Sequence, residues 1–462
     1  MKPSNFSSLA LHPDLLKNLS SLGYDSMTPI QAMSLPIVLE GKDIIAQAKT
    51  GSGKTAAFGL GLLHNLDVKR YRVQSLVLCP TRELADQVAK EIRKLARAIH
   101  NIKVLTLCGG MPFGPQIGSL EHGAHIIVGT PGRIEEHLRK DTLKLDDINT
   151  LVLDEADRML DMGFQVTIDA IMEYVPHQRQ TLLFSATYPE EIKNIAKRIM
   201  IDPQMVKVES NHDNNSIAQI FYNVGQAIEK ITALKLLLLE HRPDSTVIFC
   251  NTKRETQEIA DELKQSGFSA LALHGDLEQK MRDQILVRFA NKSTSILVAT
   301  DVAARGLDIE ALDAVINYQI ARELDVHTHR IGRTGRAGNQ GTAYTLVSEK
   351  ESYKLKALED FLQQSITTIA LPAETLLKTP GYKPPMTTLQ IDGGKKQKVR
   401  PGDILGALTG KNGIEGKQVG KIHIFDQCAY VAVSRKVVAD ALHKLETGKL
   451  KGRSFRVRNI RG

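Results

Sequence analysis

Cysteine is scarce in this 462-residue chain, and tryptophan is absent. Cys79, Cys108, Cys250 and Cys428 form no CxxC pair, which excludes the common zinc and dithiol motifs. Three of the four sit inside apolar runs, the setting of buried thiols in a reducing compartment. A cytoplasmic protein is therefore expected. No apolar run is long enough to span a bilayer, and Met1–Ala10 lacks the apolar core of a secretory signal. No membrane partner is expected. Net positive charge is also missing from most of the chain. Residues before Pro380 carry 43 Lys+Arg against 46 Asp+Glu, whereas Pro380–Gly462 carries 17 against 6. The whole excess of +8 thus belongs to the last segment. An imbalance confined to one segment points to a polyanion-binding module.

At this length two or three domains are expected, and the chain repeats itself once. Leu76–Glu83, running into Gln87–Ile92, has a counterpart in Val247–Arg254, running into Glu258–Leu263. Ile126–Thr130 likewise matches Ile296–Thr300 at nearly the same offset. Each is a short apolar strand ending in a polar loop, and the first pair continues into an amphipathic helix. Further apolar runs at Asp43–Gln47, Thr150–Leu153, Thr181–Phe184, Ala314–Tyr318 and Thr342–Val347 alternate with helical stretches. Strands buried on both faces of a parallel sheet give that pattern. Two tandem α/β domains of similar fold follow. Polar Glu209–Gln219 suits a hinge between them, and Thr379–Pro385 (TPGYKPP) breaks any helix before the basic module. The expected limits are 1–210, 216–375, a linker at 376–384, and 385–462.

Ala48-Lys49-Thr50-Gly51-Ser52-Gly53-Lys54-Thr55 follows one of these strands and precedes a helix. Its glycines let backbone N–H groups point at phosphate oxygens, and the helix N-terminus adds its dipole. Lys54 is placed to reach the β and γ phosphates, and Thr55 to ligate Mg²⁺. The first position is Ala where the simplest pattern has Gly, so the strand–loop–helix context carries this reading. Asp154-Glu155-Ala156-Asp157 ends another strand, where ligands bind in parallel sheets. Asp154 is placed to hold Mg²⁺ and Glu155 to orient or deprotonate the attacking water. A charged helix start is the plainer alternative. Far downstream, His329-Arg330-Ile331-Gly332-Arg333-Thr334-Gly335-Arg336 packs three arginines and a histidine between glycines. Arginine forks suit phosphate oxygens, and glycines allow close backbone approach. The run is expected to meet a polyphosphate.

These motifs, in this order, resemble those of the DEAD-box RNA helicases, named for Asp154–Asp157. The resemblance covers Phe6 to about Ser348. It implies two tandem RecA-like parallel-sheet domains, with ATP and Mg²⁺ as cofactors and RNA, not DNA, as partner. Phe6, Tyr24 and Thr28-Pro29-Ile30-Gln31 resemble the adenine-reading element, with Gln31 on the base. The backbone of Ala48 to Gly53, including Lys49, Thr50, Gly51 and Ser52, would cradle the phosphates. Arg82, Gly110, Thr130 and Arg133 match the first domain's RNA-backbone contacts, and Thr252, Arg282 and Thr300 those of the second. Ser185-Ala186-Thr187 resembles the link between hydrolysis and strand separation. Asp308, in Arg305-Gly306-Leu307-Asp308, would contact the ribose. Lys54, Asp154, Glu155, His329, Arg333 and Arg336 would be the catalytic set, with Arg333 and Arg336 reaching the γ-phosphate when ATP and RNA close the two domains.

The last segment reads β-α-β-β-α-β over Thr387–Ile391, Ile404–Leu408, Lys421–Phe425, Ala429–Val433, Lys436–Leu445 and Ser454–Val457. That order fits a small α+β RNA-recognition (RRM-like) domain. Its sheet is poor in stacking groups, with Cys428, Tyr430 and Val433 at the usual positions and Gln390 on the first strand. Basic edges and loops (Lys395, Lys396, Lys398, Arg400, Lys411, Lys451, Arg453, Arg456, Arg458, Arg461) are better suited to contact. A core followed by such a module resembles a bacterial branch of the family. There the module anchors the helicase to a hairpin of 23S ribosomal RNA near the peptidyl-transferase centre, which implies work in 50S subunit assembly by a monomer. The alternatives are an ATP-dependent RNA clamp or chaperone without productive unwinding, and a DNA- or GTP-using motor.

Overall fold

A computed structural model describes residues 5–48, 51–208, 217–304, 312–335 and 341–460. Residues 5–208 form one compact unit and the remaining described residues a second.

The first unit is built on seven short strands: β1 (Ile44–Gln47), β2 (Ser75–Leu78), β3 (Val104–Leu107), β4 (Ile126–Gly129), β5 (Thr150–Asp154), β6 (Gln180–Ser185) and β7 (Gln204–Lys207). All pair in parallel, in the order β3-β4-β2-β5-β6-β1-β7. The central strands are apolar throughout because helices cover both faces. On one side Phe58, Leu60 and Leu62 of helix Lys54–His64 pack with Val77, Val152, Leu182 and Phe184. On the other, Leu76, Leu78, Leu151, Leu153 and Leu183 meet Ile192 and Ile195. Each side chain of this size contributes about 1.5–3 kcal/mol on burial.

The second unit repeats the plan with β8 (Ile217–Val224), β9 (Thr246–Cys250), β10 (Ala270–Leu273), β11 (Ile296–Thr300), β12 (Ala314–Asn317), β13 (Gly341–Ser348) and β14 (Thr368–Ile369). The order β10-β11-β9-β12-β13-β8-β14 is the first order advanced by seven. The paired segments found in the sequence are β2 with β9 and β4 with β11, in equivalent places. Even the caps agree. Thr81 and Thr252 start helices Arg82–Leu95 and Lys253–Gln265, each accepting from the backbone N–H three residues on.

The basic segment folds as β15 (Met386–Ile391), β16 (Val419–Ile424), β17 (Ala429–Ser434) and β18 (Val457–Ile460), with helices Pro401–Thr409 and Val438–Thr447. The sheet is antiparallel in the order β16-β17-β15-β18. One expectation shifts: the last strand was placed at Ser454–Val457, but pairing with β15 begins at Val457. Apolar Phe455 lies just before the ladder. It packs against Gly393, where an added Cβ would lie 2.4 Å from its ring, so it belongs to the approach and not to the ladder.

Thr379–Pro385 is no free spacer. Tyr382 meets Phe268 edge-on at 5.9 Å, and the Arg242 guanidinium lies 5.8 Å from its ring. Beyond it, the outer face of β15 and β17 is covered. Thr388 bonds Asn291 (3.1 Å) and Ser293 (2.7 Å), Gln284 donates to Gln390 (3.4 Å), and Tyr430 is 3% exposed. Among the described residues no helix is long and apolar enough to cross a membrane.

Candidate nucleotide and RNA site

Because every strand of the first sheet is parallel, all carboxyl ends share one edge, where such sheets bind ligands. Strand order divides that edge. Loops after β1, β6 and β5 carry Gly51–Thr55, Ser185–Thr187 and Asp154–Asp157, while those after β2, β4 and β3 carry Arg82, Thr130–Arg133 and Gly109–Gly110. The expected nucleotide and RNA residues therefore fall on adjoining halves.

In the nucleotide half, Gly51 and Gly53 have φ of 82° and 94°, turning the chain from β1 into helix Lys54–His64. At Gly53 an added Cβ would lie 2.5 Å from the Gln31 amide. That amide donates to Gly53 O (3.1 Å) and accepts from Thr28 N (2.9 Å), so the adenine element is tied to the phosphate loop. Phe6 is buried and meets Tyr24 edge-on at 6.3 Å. Tyr24 in turn donates to Glu91 (2.5 Å). Lys54, 6% exposed, donates to Ala48 O at 2.9 Å, and Thr55 follows it on the helix. The Ser52 hydroxyl is buried without a partner among the described residues. Lys49 and Thr50 lie outside the described residues.

Asp154 ends β5 at 3% exposure. Burial, reinforced by Glu155 and Asp157 and opposed by Lys54, pushes its carboxyl up to about 7. A carboxylate so short of positive charge suits a cation. Among the described residues no group of three or more His, Cys, Asp or Glu could hold a metal alone. This donor set fits a hard ion that arrives with phosphate and water. Glu155 follows in left-handed backbone, φ 52° and ψ 52°, a strained turn for a residue with a side chain. It pairs with buried Arg158 at 3.2 Å.

Asp157, to which the sequence reading gave no role, ties this motif to Ser185-Ala186-Thr187. Its Oδ2 accepts from Ala186 N (3.1 Å), Thr187 N (2.9 Å) and Thr187 Oγ1 (2.9 Å), while its own N–H donates to Ser185 Oγ (3.3 Å). Burial alone would raise this carboxyl, but the Thr187 donors, Arg158 and Lys54 hold it below its usual value. Its place in the same four-residue motif, at the start of the helix that follows β5, was the available signal.

In the RNA half, Gly109 N donates to Thr130 Oγ1 (3.3 Å) and Arg133 Nη1 to Met111 O (2.9 Å). Arg133 also pairs with Glu136 (3.1 Å). Arg82, at the head of its helix, lies 3.7 Å from Asp86. The second sheet repeats this division: Thr252 follows β9, Thr300 ends β11, and Arg282 lies on helix Gln279–Ala290 after β10. Thr300 Oγ1 accepts from Ala303 N.

Helix Leu324–Ile331 and the turn after it bring His329 and Arg333 from the β12 side. Arg330 departs from expectation. It does not face a phosphate; it is 1% exposed and forks onto both oxygens of Asp301 (2.6 and 2.7 Å). It also donates to Asn251 (2.9 Å) and Gln319 O (2.7 Å). A buried guanidinium requires such a paired carboxylate, and Asp301 lies next to Thr300. Arg333 is buried at 6% exposure. Arg336 and Asp308 lie outside the described residues.

On the C-terminal domain Lys395, Lys396, Lys398, Arg400, Lys411, Lys451, Arg453, Arg456 and Arg458 are exposed. Lys451 donates to Lys398 O (3.1 Å), which draws two basic loops together. Arg461 lies outside the described residues.

Comparison with known proteins agrees with this geometry. Residues 28–195 match the DEAD/DEAH box helicase family, 229–338 the helicase conserved C-terminal domain, and 388–459 the DbpA RNA binding domain. The chain is 53% identical over 457 residues, 99% of each chain, to the ATP-dependent RNA helicase DbpA of Escherichia coli K12. It is 43% identical to the ATP-dependent RNA helicase CshA of Listeria monocytogenes over 369 residues, 80% of this chain and 71% of that one. Saccharomyces cerevisiae Dbp5 bound to RNA and ADP BeF3 superposes with a TM-score of 0.72 at 30% identity, covering 81% of this chain and 99% of that one. The chain belongs to the DEAD-box family of ATP-dependent RNA helicases, and ends in an RNA-binding domain of the DbpA type.

Proposed function

We propose that this helicase is delivered to a hairpin of 23S ribosomal RNA by its basic C-terminal domain and unwinds neighbouring short duplexes during 50S subunit assembly. The observation that carries this reading is the confinement of all excess positive charge to Pro380–Gly462, on a domain matching the DbpA type. In the proposed cycle Lys54 and the backbone of residues 48–53 hold the phosphates, with Gln31, Phe6 and Tyr24 around the adenine and Asp308 at the ribose. Thr55 and Asp154 would hold Mg²⁺, which would supply charge neutralisation for the phosphates when bound. Glu155 and His329 orient the attacking water, and Arg333 and Arg336 stabilise the charge that develops. An arginine in that role is worth roughly 10³–10⁵ in rate. Arg82, Gly110, Thr130, Arg133, Thr252, Arg282 and Thr300 grip the RNA backbone, with Ser185 and Thr187 coupling the two events. The protein acts as a cytoplasmic monomer, with 1–210 and 216–375 as the working halves, 376–384 as connector and 385–462 as anchor.

ATPase rate measured with ribosomal RNA fragments and with unrelated RNA tests the delivery. Full-length protein is expected to prefer the ribosomal fragments; a chain ending near Leu377, or one with Lys395, Lys396 and Lys398 changed to Ala, is not. Equal stimulation by all RNAs in the full-length protein sinks the idea.

A further inference from the structure

The first unit holds a buried polar chain that neither the nucleotide nor the RNA reading uses. Gln116, on helix Phe113–Glu121, is 8% exposed and donates through Nε2 to Cys108 O at 3.1 Å. Its other end, Oε1, meets His137 Nε2 at 3.1 Å. His137, on helix Pro131–Arg139, is fully buried, and its Nδ1 lies 2.7 Å from Thr142 Oγ1. The Phe113 ring stacks on the imidazole at 4.2 Å and 19°. On that ring, in turn, sit Lys140 Nζ (4.2 Å) and the Arg133 guanidinium (5.5 Å).

The amide orientation fixes the proton. Gln116 spends its N–H on Cys108 O, so the oxygen facing His137 can only accept, and His137 Nε2 must carry hydrogen. Burial, followed by Arg133 and Lys140, lowers this histidine to about 4, so the ring is neutral and Nδ1 accepts from Thr142. The chain therefore runs Thr142 to His137 to Gln116 to Cys108 O, with the His137 carbonyl, 3.1 Å from Thr142 Oγ1, as a second acceptor for that hydroxyl.

We propose that His137 and Gln116 are positioning residues for RNA binding, fixing loop Gly109–Pro112 against the helix that bears Thr130 and Arg133. The loop and the residue leading into it are held by Gln116 on Cys108 O, Thr130 on Gly109 N and Arg133 on Met111 O. Only the first tie comes from outside the expected RNA contacts. Backbone groups that grip phosphates must be held near their binding geometry before RNA arrives, and this buried tie does so. The inference rests on the reading that Gly110, Thr130 and Arg133 meet RNA.

The test is RNA-stimulated ATPase of the full chain, titrated with single-stranded RNA. His137→Phe keeps the ring stack and volume but loses both hydrogen bonds. The RNA concentration for half-maximal rate should rise about five- to tenfold, the worth of one buried hydrogen bond. The rate at saturating RNA and the KM for ATP without RNA should hold. His137→Gln, whose amide can still donate to Gln116, should restore most of the RNA response, and Gln116→Leu should reproduce the loss. Arg133→Ala runs alongside. If it weakens RNA binding while the His137 and Gln116 variants do not, the positioning role is wrong. If Arg133→Ala changes nothing, the RNA surface itself is misplaced. Thermal melts accompany each variant, and a rise in RNA half-saturation that merely follows lost stability, with no rescue by Gln, also overturns the proposal.

Discussion

At the scale of residues, burial decides what each charged group can do. Arg330 and Arg333 stand three apart in one basic run, yet Arg330 is spent on Asp301. Asp154 and Asp157 likewise share one motif, but burial raises the first while the Thr187 donors help to hold the second down. His327 shows the same effect in a way that pH can read. It is 1% exposed, bonds Gln219 at 3.0 Å and is lowered from 6.5 to about 4, by burial first and Arg330 second. Between those values the unfolded chain binds a proton that the folded chain refuses. Its contribution is therefore intact above pH 6.5 and is lost as pH falls, by at most about 1.4 kcal/mol per unit. Amide protection in the second unit, after correction for the intrinsic slowing of exchange in acid, should fall from pH 7 to pH 5, and His327→Phe should flatten that trend. An unchanged trend in the variant would remove this histidine from the account.

At the scale of elements, the parallel sheets were legible because strands covered on both faces must be apolar throughout. The repeat was legible because equivalent strands end in equivalent caps at Thr81 and Thr252. What the sequence could not show was strand order, and order is what sorts the loops into two functional halves. The last strand was misplaced because Phe455 fills space beside Gly393 without joining the ladder. The ties through Asp157, Arg330 and His137 were hidden for a related reason: each has a partner more than twenty residues away in sequence. Gly129 illustrates a close approach that is likewise invisible in one dimension. At the end of β4, an added Cβ would lie 2.5 Å from Leu107 O on β3 and 2.7 Å from Ile134. Gly129→Ala should therefore cost about 1–3 kcal/mol as overpacking and displace Thr130, seen as a lower denaturation midpoint together with weaker RNA binding. Wild-type stability in that variant would mean that β3 and β4 part freely.

At the scale of the whole molecule, the chain separates its helicase core from its positive charge. The part before Pro380 carries a slight acidic excess and holds the ATP machinery; the part after it carries the positive charge. In many RNA-recognition folds the sheet face stacks bases, but here Thr388, Gln390 and Tyr430 are covered by residues of the second unit. On the proposed reading RNA meets the basic loops, and binding through them should weaken steeply with salt as each neutralised phosphate releases counterions. Changing Lys395, Lys396 and Lys398 to Ala should flatten that dependence, whereas Tyr430→Ala should leave the slope unchanged. The reverse outcome, measured by fluorescence anisotropy across a salt series, would place RNA on the sheet.

The covered sheet has a mechanical corollary. Tyr382 wedged against Phe268, and Thr388 bonded to Asn291 and Ser293, make the C-terminal RNA-binding domain cargo of the second sheet. On the proposed anchoring, an RNA held by the basic loops would be carried with that sheet as a load on a crank, and any swing of the sheet would become a pull on the held strand.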